Sequence, residues 1–505
     1  SIKTRSDSPG IKFATEGIKM LRLRNRPSLD LLSGSEGWVI FKFSVPIILS
    51  YLLQQIYTIS DAAICGQTLS VDEIAGVNDV FPILFIFLQF AVGCTAGFSV
   101  ITSIAAGQGD KPGVRRSFAA QLLLGGAMSL LLTAIAILAL GPLLRFIGLS
   151  ETNPGVWKAA YQYSLVIFIG IFAQFYYNLI CSVLRSLGDS TTPLIFLLFS
   201  TVLNIGLDLF FILVLRLGVV GAAVATVLAQ ALSAVLCLIY AFRKYEELHP
   251  TKSDFHAALS FYVRHLRQGI PMGLQFSVLA IGIIVMQRAL VGFDIGEGGV
   301  MVAGNPAQNG FGAANKLNNF LMCPMNALST AIVCFHAQNL GAGRQDRIRR
   351  GTVKSLLIGL AMYGILGGLG MLLTINGAYQ HLFMSADKIT EATIRYGNIY
   401  LYVDLALYFM LMILFVFRAA VQGVGHAEYA LVAGCAELVA RVLICAFLPA
   451  MVNGGPIDSS ASTGAYIALC FGDPGAWTLA VASLVYPAAR YLFGAKSKKQ
   501  RSLSA

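Results

Sequence analysis

Few side chains in this sequence could do chemistry, and four of them fall together. Asp61, Asn204, Asp208 and Thr226 are oxygen-bearing residues set inside long apolar runs. Asn204 and Asp208 stand four apart, on one face of a helix. At a rise of 1.5 Å per residue, Asp61, Asp208 and Thr226 lie ~7, ~10 and ~12 Å from the same end of their runs. Two carboxylates with an amide and a hydroxyl suit a proton or a hard cation such as Na⁺, which takes oxygen ligands. Neighbouring carboxylates also share protons. A carboxylate inside a membrane costs at least ~2.5–3.5 kcal/mol and marks a functional residue by default. Depth alone leaves two readings open, a shared site or separate structural roles.

A second set is more basic. Glu437 and Arg441 stand i, i+4 and can pair, with Arg418 within reach on the preceding run; the trio reads as an internal ion pair or as a gating or substrate group. Asp404 reads equally as a solvated carboxylate or a functional one, and His336 as a packing residue or a proton relay. Asp79, Arg288 and Lys316 lie near run ends, where water or the interface can serve them. Gln54, Gln55, Gln275 and Gln287 punctuate runs one and seven. In lipid they would be expensive, so they are expected to face the interior, lining a cavity or bonding between helices. No catalytic constellation is present: Walker A, HExxH and GxSxG are absent. Gly107-Gln-Gly-Asp110 matches the GxGD string of intramembrane proteases but runs into a basic loop and has no Tyr-Asp partner. The nine cysteines are odd in number, lack a CxxC and sit in or beside apolar runs. They read as small hydrophobes, with neither a disulfide nor a metal site expected.

The elements that must position these groups follow from composition. Of 505 residues, 56% are hydrophobic and 12% charged, against roughly 25% charged in soluble domains; the mean hydropathy is +0.72. That excludes a disordered chain, a nucleic-acid-binding domain and an ordinary cytosolic enzyme. A β-barrel would show alternating segments of ~10 residues, and the runs here are about twice that. Twelve runs appear, near 39–66, 75–106, 118–144, 158–184, 193–215, 218–242, 267–292, 311–340, 354–384, 396–420, 428–450 and 471–494. The expected fold is an all-α polytopic membrane protein of twelve transmembrane helices. Its segments are a tail (1–38), a first lobe (39–242), a linker (243–266), a second lobe (267–494) and a C-terminal tail (495–505). The net charge of +11 is concentrated at alternate boundaries: the N-terminal tail, Lys111/Arg115/Arg116, the linker, Arg344/Arg347/Arg349/Arg350 and Lys496/Lys498/Lys499/Arg501. By the positive-inside rule both termini are expected to be cytoplasmic. No cleavable signal is evident, and Met20 would make a sensible start.

An internal repeat divides the chain. Ala105-Ala-Gly-Gln-Gly-Asp-Lys-Pro-Gly-Val-Arg-Arg-Ser117 resembles Asn339-Leu-Gly-Ala-Gly-Arg-Gln-Asp-Arg-Ile-Arg-Arg-Gly351. Gly107, Gly109, Arg115 and Arg116 fall on Gly341, Gly343, Arg349 and Arg350 at one offset, and Pro46 and Pro271 open the first span of each half. Six spans per half put both halves in the same orientation. They are expected to be related by a pseudo-twofold along the membrane normal, with a pathway between them.

Several segments together resemble the bacterial, twelve-span branch of the multidrug and toxic compound extrusion (MATE) family. They are Pro46-Ile-Ile-Leu-Ser-Tyr-Leu-Leu-Gln-Gln-Ile-Tyr57 with Asp61 and Gly66, the two Arg-Arg segments, Arg185-Ser-Leu-Gly-Asp-Ser-Thr-Thr-Pro193, Asn204-Ile-Gly-Leu-Asp208, Gly221-Ala-Ala-Val-Ala-Thr226 and Phe417-Arg-Ala-Ala-Val-Gln-Gly-Val-Gly425. The resemblance covers roughly residues 28 to 495. It implies a secondary antiporter of the plasma membrane, acting as a monomer, that expels small cationic, amphiphilic compounds in exchange for Na⁺ or H⁺. It implies no enzyme activity, cofactor or nucleic-acid partner. It also implies that Asp61, Asn204, Asp208 and Thr226 form one cation site. The glutamate that another branch carries on span 7 is missing here, so the first lobe is expected to carry coupling. The alternative within the superfamily is a flippase for a lipid-linked oligosaccharide.

Overall fold

The computed structural model describes residues 28–149, 153–385 and 388–494; Met20, the N-terminal tail before residue 28 and the C-terminal tail lie outside them. Over the described residues the fold is all-α, with one isolated β-bridge between Ile295 and Met301. Backbone groups in lipid must bond within their own segment, which forces long apolar runs into helices. Among the described residues eleven helices are long and apolar enough to cross a membrane, and a bent pair makes a twelfth when it is counted as one span. The spans are Glu36–Thr68, Val71–Gln108, Lys111–Phe146, Pro154–Ile169 with Ile171–Ser186, Thr191–Val214, Gly218–Lys244, Leu259–Asp294, Pro306–Gly341, Gln345–Leu373, Glu391–Gly423, Ala427–Asn453 and Thr463–Phe493. They are numbered 1 to 12 below.

The side that holds the N-terminus of span 1 is called the terminal side. Punctuation of the spans is local chemistry. Spans 2 and 8 lead into Gly109 and Gly343, both at positive φ, the left-handed backbone that suits glycine after a helix. The Asp110 carboxylate caps span 3 through the Gly113 N–H at 2.9 Å. Span 4 bends by 45° at Gly170, where a Cβ would strike Val227 of span 6.

Packing repeats with the sequence. Span 2 lies on span 4, 4 on 6 and 5 on 6; after the linker, 8 lies on 10, 10 on 12 and 11 on 12. Between the halves, span 1 meets span 8, span 7 meets span 2, and spans 2 and 8 meet each other. Glycines set these approaches. A Cβ on Gly93 or Gly97 of span 2 would run into the Met272 or Gln268 carbonyl of span 7. A Cβ on Gly107 would land on the Gln338 carbonyl, and one on Gly341 on the Ile104 carbonyl.

All four approaches lie in the terminal half of the molecule. Nearer the middle, Ser277 donates to the Ile86 carbonyl at 3.0 Å. A strap of chain ahead of span 1 reinforces the same side. The Leu29 N–H donates to the Gly188 carbonyl of the first half at 3.0 Å. The carbonyls of Leu31, Leu32 and Gly34 accept from Asn339, Arg344 and Arg347 of the second half. The molecule is therefore fastened at the terminal side.

Candidate functional site

The first-half site is assembled from spans 1, 5 and 6, with span 4 beside it. Asn204 and Asp208 lie one turn apart on span 5 and are fully buried. The helix turns from α to π directly after Asp208, over Leu209–Val214, an irregularity frequent at functional sites. Asn204 Nδ2 reaches Thr226 Oγ1 of span 6 at 3.5 Å, and the Tyr57 hydroxyl of span 1 reaches the same oxygen at 3.4 Å. The Asp61 carboxyl comes within interaction range of Asp208. All four residues grouped by depth thus meet at one place.

What distinguishes this place is unmet bonding. Both carboxylate oxygens of Asp208, Asp61 Oδ1 and Asn204 Oδ1 are buried and have no hydrogen-bond donor among the described residues. A buried polar atom left unpaired costs about 1–3 kcal/mol. Four buried acceptor oxygens on spans 1 and 5 without donors form an arrangement that a proton or a hard cation would satisfy.

Three neighbours escaped the reading of the sequence. Tyr57, Cys65 and Tyr163 all lie within electrostatic range of the carboxyl pair. Tyr57 and Cys65 stand four residues before and after Asp61, so the same-face rule would have found them. Tyr163 sits on span 4, and nothing local announces it.

In the second half, polar groups form a paired chain. Arg418 donates to Glu437 at 2.6 Å, and Arg441 lies 3.5 Å from Glu437 and 2.6 Å from Asp473. The Tyr400 hydroxyl donates to Asp473 at 3.2 Å, and Asn318 Nδ2 donates to the Tyr400 oxygen at 3.1 Å and to Asp404 at 2.9 Å. Asp404 is fully buried, which removes the solvated reading. Its second oxygen has no partner, so it ends the chain on an unmet acceptor. Asp473 is a further residue that the sequence reading passed over.

The glutamines separate. Gln54 and Gln287 are exposed and Gln55 is half-buried; Gln55 lies against Cys323 of span 8. Gln275 takes the interhelical-bonding alternative. It is buried, accepts from Gln422 at 2.6 Å and packs on Gly434, so it bonds between helices. His336 donates through Nδ1 to the Ile332 carbonyl and meets Thr352 Oγ1 through Nε2, both inside the helix packing. Cys435 is exposed, unlike the other eight cysteines.

At the terminal side the segment Arg185 to Pro193 makes a corner. Asp189 accepts from Lys244 at 2.7 Å, from the Tyr245 hydroxyl at 2.8 Å, and from the Thr192 hydroxyl and N–H at 2.7 and 2.9 Å. Burial works to raise its pKa, but the bonds from Lys244 and Thr192 outweigh it and hold the carboxyl below its ordinary value.

Comparison with known proteins agrees with this architecture. The family model MatE matches residues 46–210 and 301–447. The probable multidrug resistance protein YpnP of Bacillus subtilis is 30% identical over 63% of this chain and 68% of its own length. The FAD transporter of Shewanella oneidensis is 25% identical over 65% of this chain and 70% of its length. A solved structure described as the outward-facing conformation of a multidrug resistance MATE family transporter has a TM-score of 0.78. It is 19% identical and covers 92% of this chain and 98% of its own. The chain belongs to the MatE family of multi-pass membrane transporters.

Proposed function

We propose that the protein is a secondary antiporter that exports cationic, amphiphilic compounds in exchange for Na⁺ or H⁺. In this reading the coupling ion loads at Asp61, Asn204, Asp208 and Thr226. The observation that carries it is the set of four buried acceptor oxygens without donors on spans 1 and 5 of the first half. Both termini lie in the cytoplasm of a cell whose plasma membrane holds a monomer, which makes the terminal side the cytoplasmic one. The fastened terminal side is then the state that faces outward. Loading a cation satisfies the oxygens and changes how span 1 packs against spans 5 and 6. Rocking the two halves about their contact exposes the pathway inward, the ion leaves and an organic cation enters. An ion shifts this equilibrium only by binding one state better than the other, and the paired carboxylates supply that difference.

The test is efflux of a fluorescent organic cation from proteoliposomes under an imposed Na⁺ gradient and, separately, an imposed pH gradient. FAD, the cargo in one relative's name, serves as the comparison cargo. The wild-type chain is expected to move the cation under one of the two gradients. Asp61→Asn and Asp208→Asn are each expected to reduce transport at least tenfold. Undiminished transport in both variants would remove the assignment.

A further inference from the structure

A cavity of about 600 Å³ opens at the terminal side, where spans 8 and 9 join beside the end of span 12. Arg344, Arg347, Arg349 and Arg350 line it together with Asp346 and Gly494. The positive-inside rule accounts for basic residues on this side, but not for four guanidiniums turned into one hollow. Several of their bonds go to neutral carbonyls. Arg344 donates to Leu32, Arg347 to Gly34 at 2.8 Å and Arg349 to Phe493 at 2.7 Å. A carbonyl fixes the direction of a guanidinium without neutralising it. Glu36 lies 3.1 Å from Arg350 and 3.7 Å from Arg347. Among the described residues neither Arg344 nor Arg349 has a carboxylate within ion-pair distance, although Asp30 lies in electrostatic range of Arg344 and Arg347.

The first copy of the repeat shows what the second lacks. Arg115, the counterpart of Arg349, lies 2.7 Å from Asp254 of the linker. The counterpart of Arg344 is Asp110, a carboxylate. At the first of these places copy one carries a carboxylate where copy two carries Arg344; at the second both carry arginine, and only Arg115 of copy one has an ion-pair partner among the described residues. We infer that this cavity binds a phosphate-bearing anion, supplied by the headgroup of an acidic membrane lipid. The guanidinium fork matches phosphate oxygens in pairs. The cavity lies at the end of the spans, the level at which basic pockets between membrane helices take acidic headgroups. The inference stands apart from the cargo and the coupling ion.

The experiment uses the full chain, purified in a neutral detergent. Native mass spectrometry compares retention of phosphatidylglycerol with that of phosphatidylcholine, and a thermal-unfolding series adds inorganic pyrophosphate. Arg349→Gln with Arg350→Gln is the chosen variant, because it leaves the strap donors Arg344 and Arg347 in place. Its unfolding midpoint without added lipid checks that it is folded. The wild-type chain is expected to retain phosphatidylglycerol over phosphatidylcholine. That preference is expected to fall about tenfold or more in the double variant and to survive in Arg115→Gln. The Arg349→Lys, Arg350→Lys pair is expected to restore part of it, since charge returns without the fork. Stabilisation by pyrophosphate with no lipid retained, lost in the double variant, supports the phosphate site and assigns its source to the aqueous phase. Equal retention of phosphatidylglycerol in the wild type and the double variant, or no preference over phosphatidylcholine, overturns the inference.

Discussion

Asp208 and Glu437 are both buried acids on membrane helices, yet their surroundings are opposite. Asp208 has no partner on either oxygen, whereas Glu437 is held between Arg418 and Arg441. Removing a charge should therefore do different things at the two places. Glu437→Gln leaves two buried guanidiniums without their shared anion, and breaking such a pair costs about 3–5 kcal/mol. Asp208→Asn strips no donor of its acceptor. The thermal midpoint in detergent should fall by several degrees for Glu437→Gln and stay close to wild type for Asp208→Asn, while transport is lost in the latter. A comparable collapse in Asp208→Asn would make it a structural residue. Asp61, Asn204, Asp208 and Thr226 were legible because depth and helical spacing depend only on counting along one run. Tyr163 was not, since which way span 4 turns is decided by the helices around it. Asp473 was missed for a different reason. The apolar run starts near 471, but span 12 begins at Thr463, which puts Asp473 ~15 Å along it.

At the level of elements, the corner at Asp189 ties the start of span 5 to the end of span 6. Its folded pKa lies below the ordinary value, so the ionised carboxylate stabilises the fold. That contribution is complete above the unfolded-chain value of about 3.9 and is lost as pH falls through the lower folded value. Asp189→Asn should cost about 1–3 kcal/mol at neutral pH. The gap from wild type, followed by thermal unfolding across pH, should narrow below about pH 4; a gap that widens there contradicts the account. Hydropathy gave the number of spans and most of their limits. It could not give the bend in span 4, because Gly170 is an unremarkable residue in a helix until Val227 is seen against it. Nor could it give the strap, whose bonds run from backbone carbonyls to arginines some 300 positions away.

At the scale of the whole molecule, closure rests on spans 2 and 8 crossing at Gly107 and Gly341. Gly107→Ala or Gly341→Ala would push those backbones apart, at a cost of about 1–3 kcal/mol for overpacking. Spin labels on the terminal ends of the two spans should report a longer separation in either variant than in the wild type; an unchanged distance would place the closure elsewhere. The repeat was visible as a string of matching letters, but its meaning was not. Gly107 meets Gln338 and Gly341 meets Ile104, and each pair is the other shifted by the repeat offset. The contact is isologous, as in a twofold dimer, where one patch serves both partners. A single six-span unit already contains every residue the crossing needs, so two separate copies of an ancestral half could have made it as a homodimer. The linker, docked by Asp254 on Arg115, would then be what fusion added: it freed each copy to diverge, one toward paired acids and the other toward paired arginines.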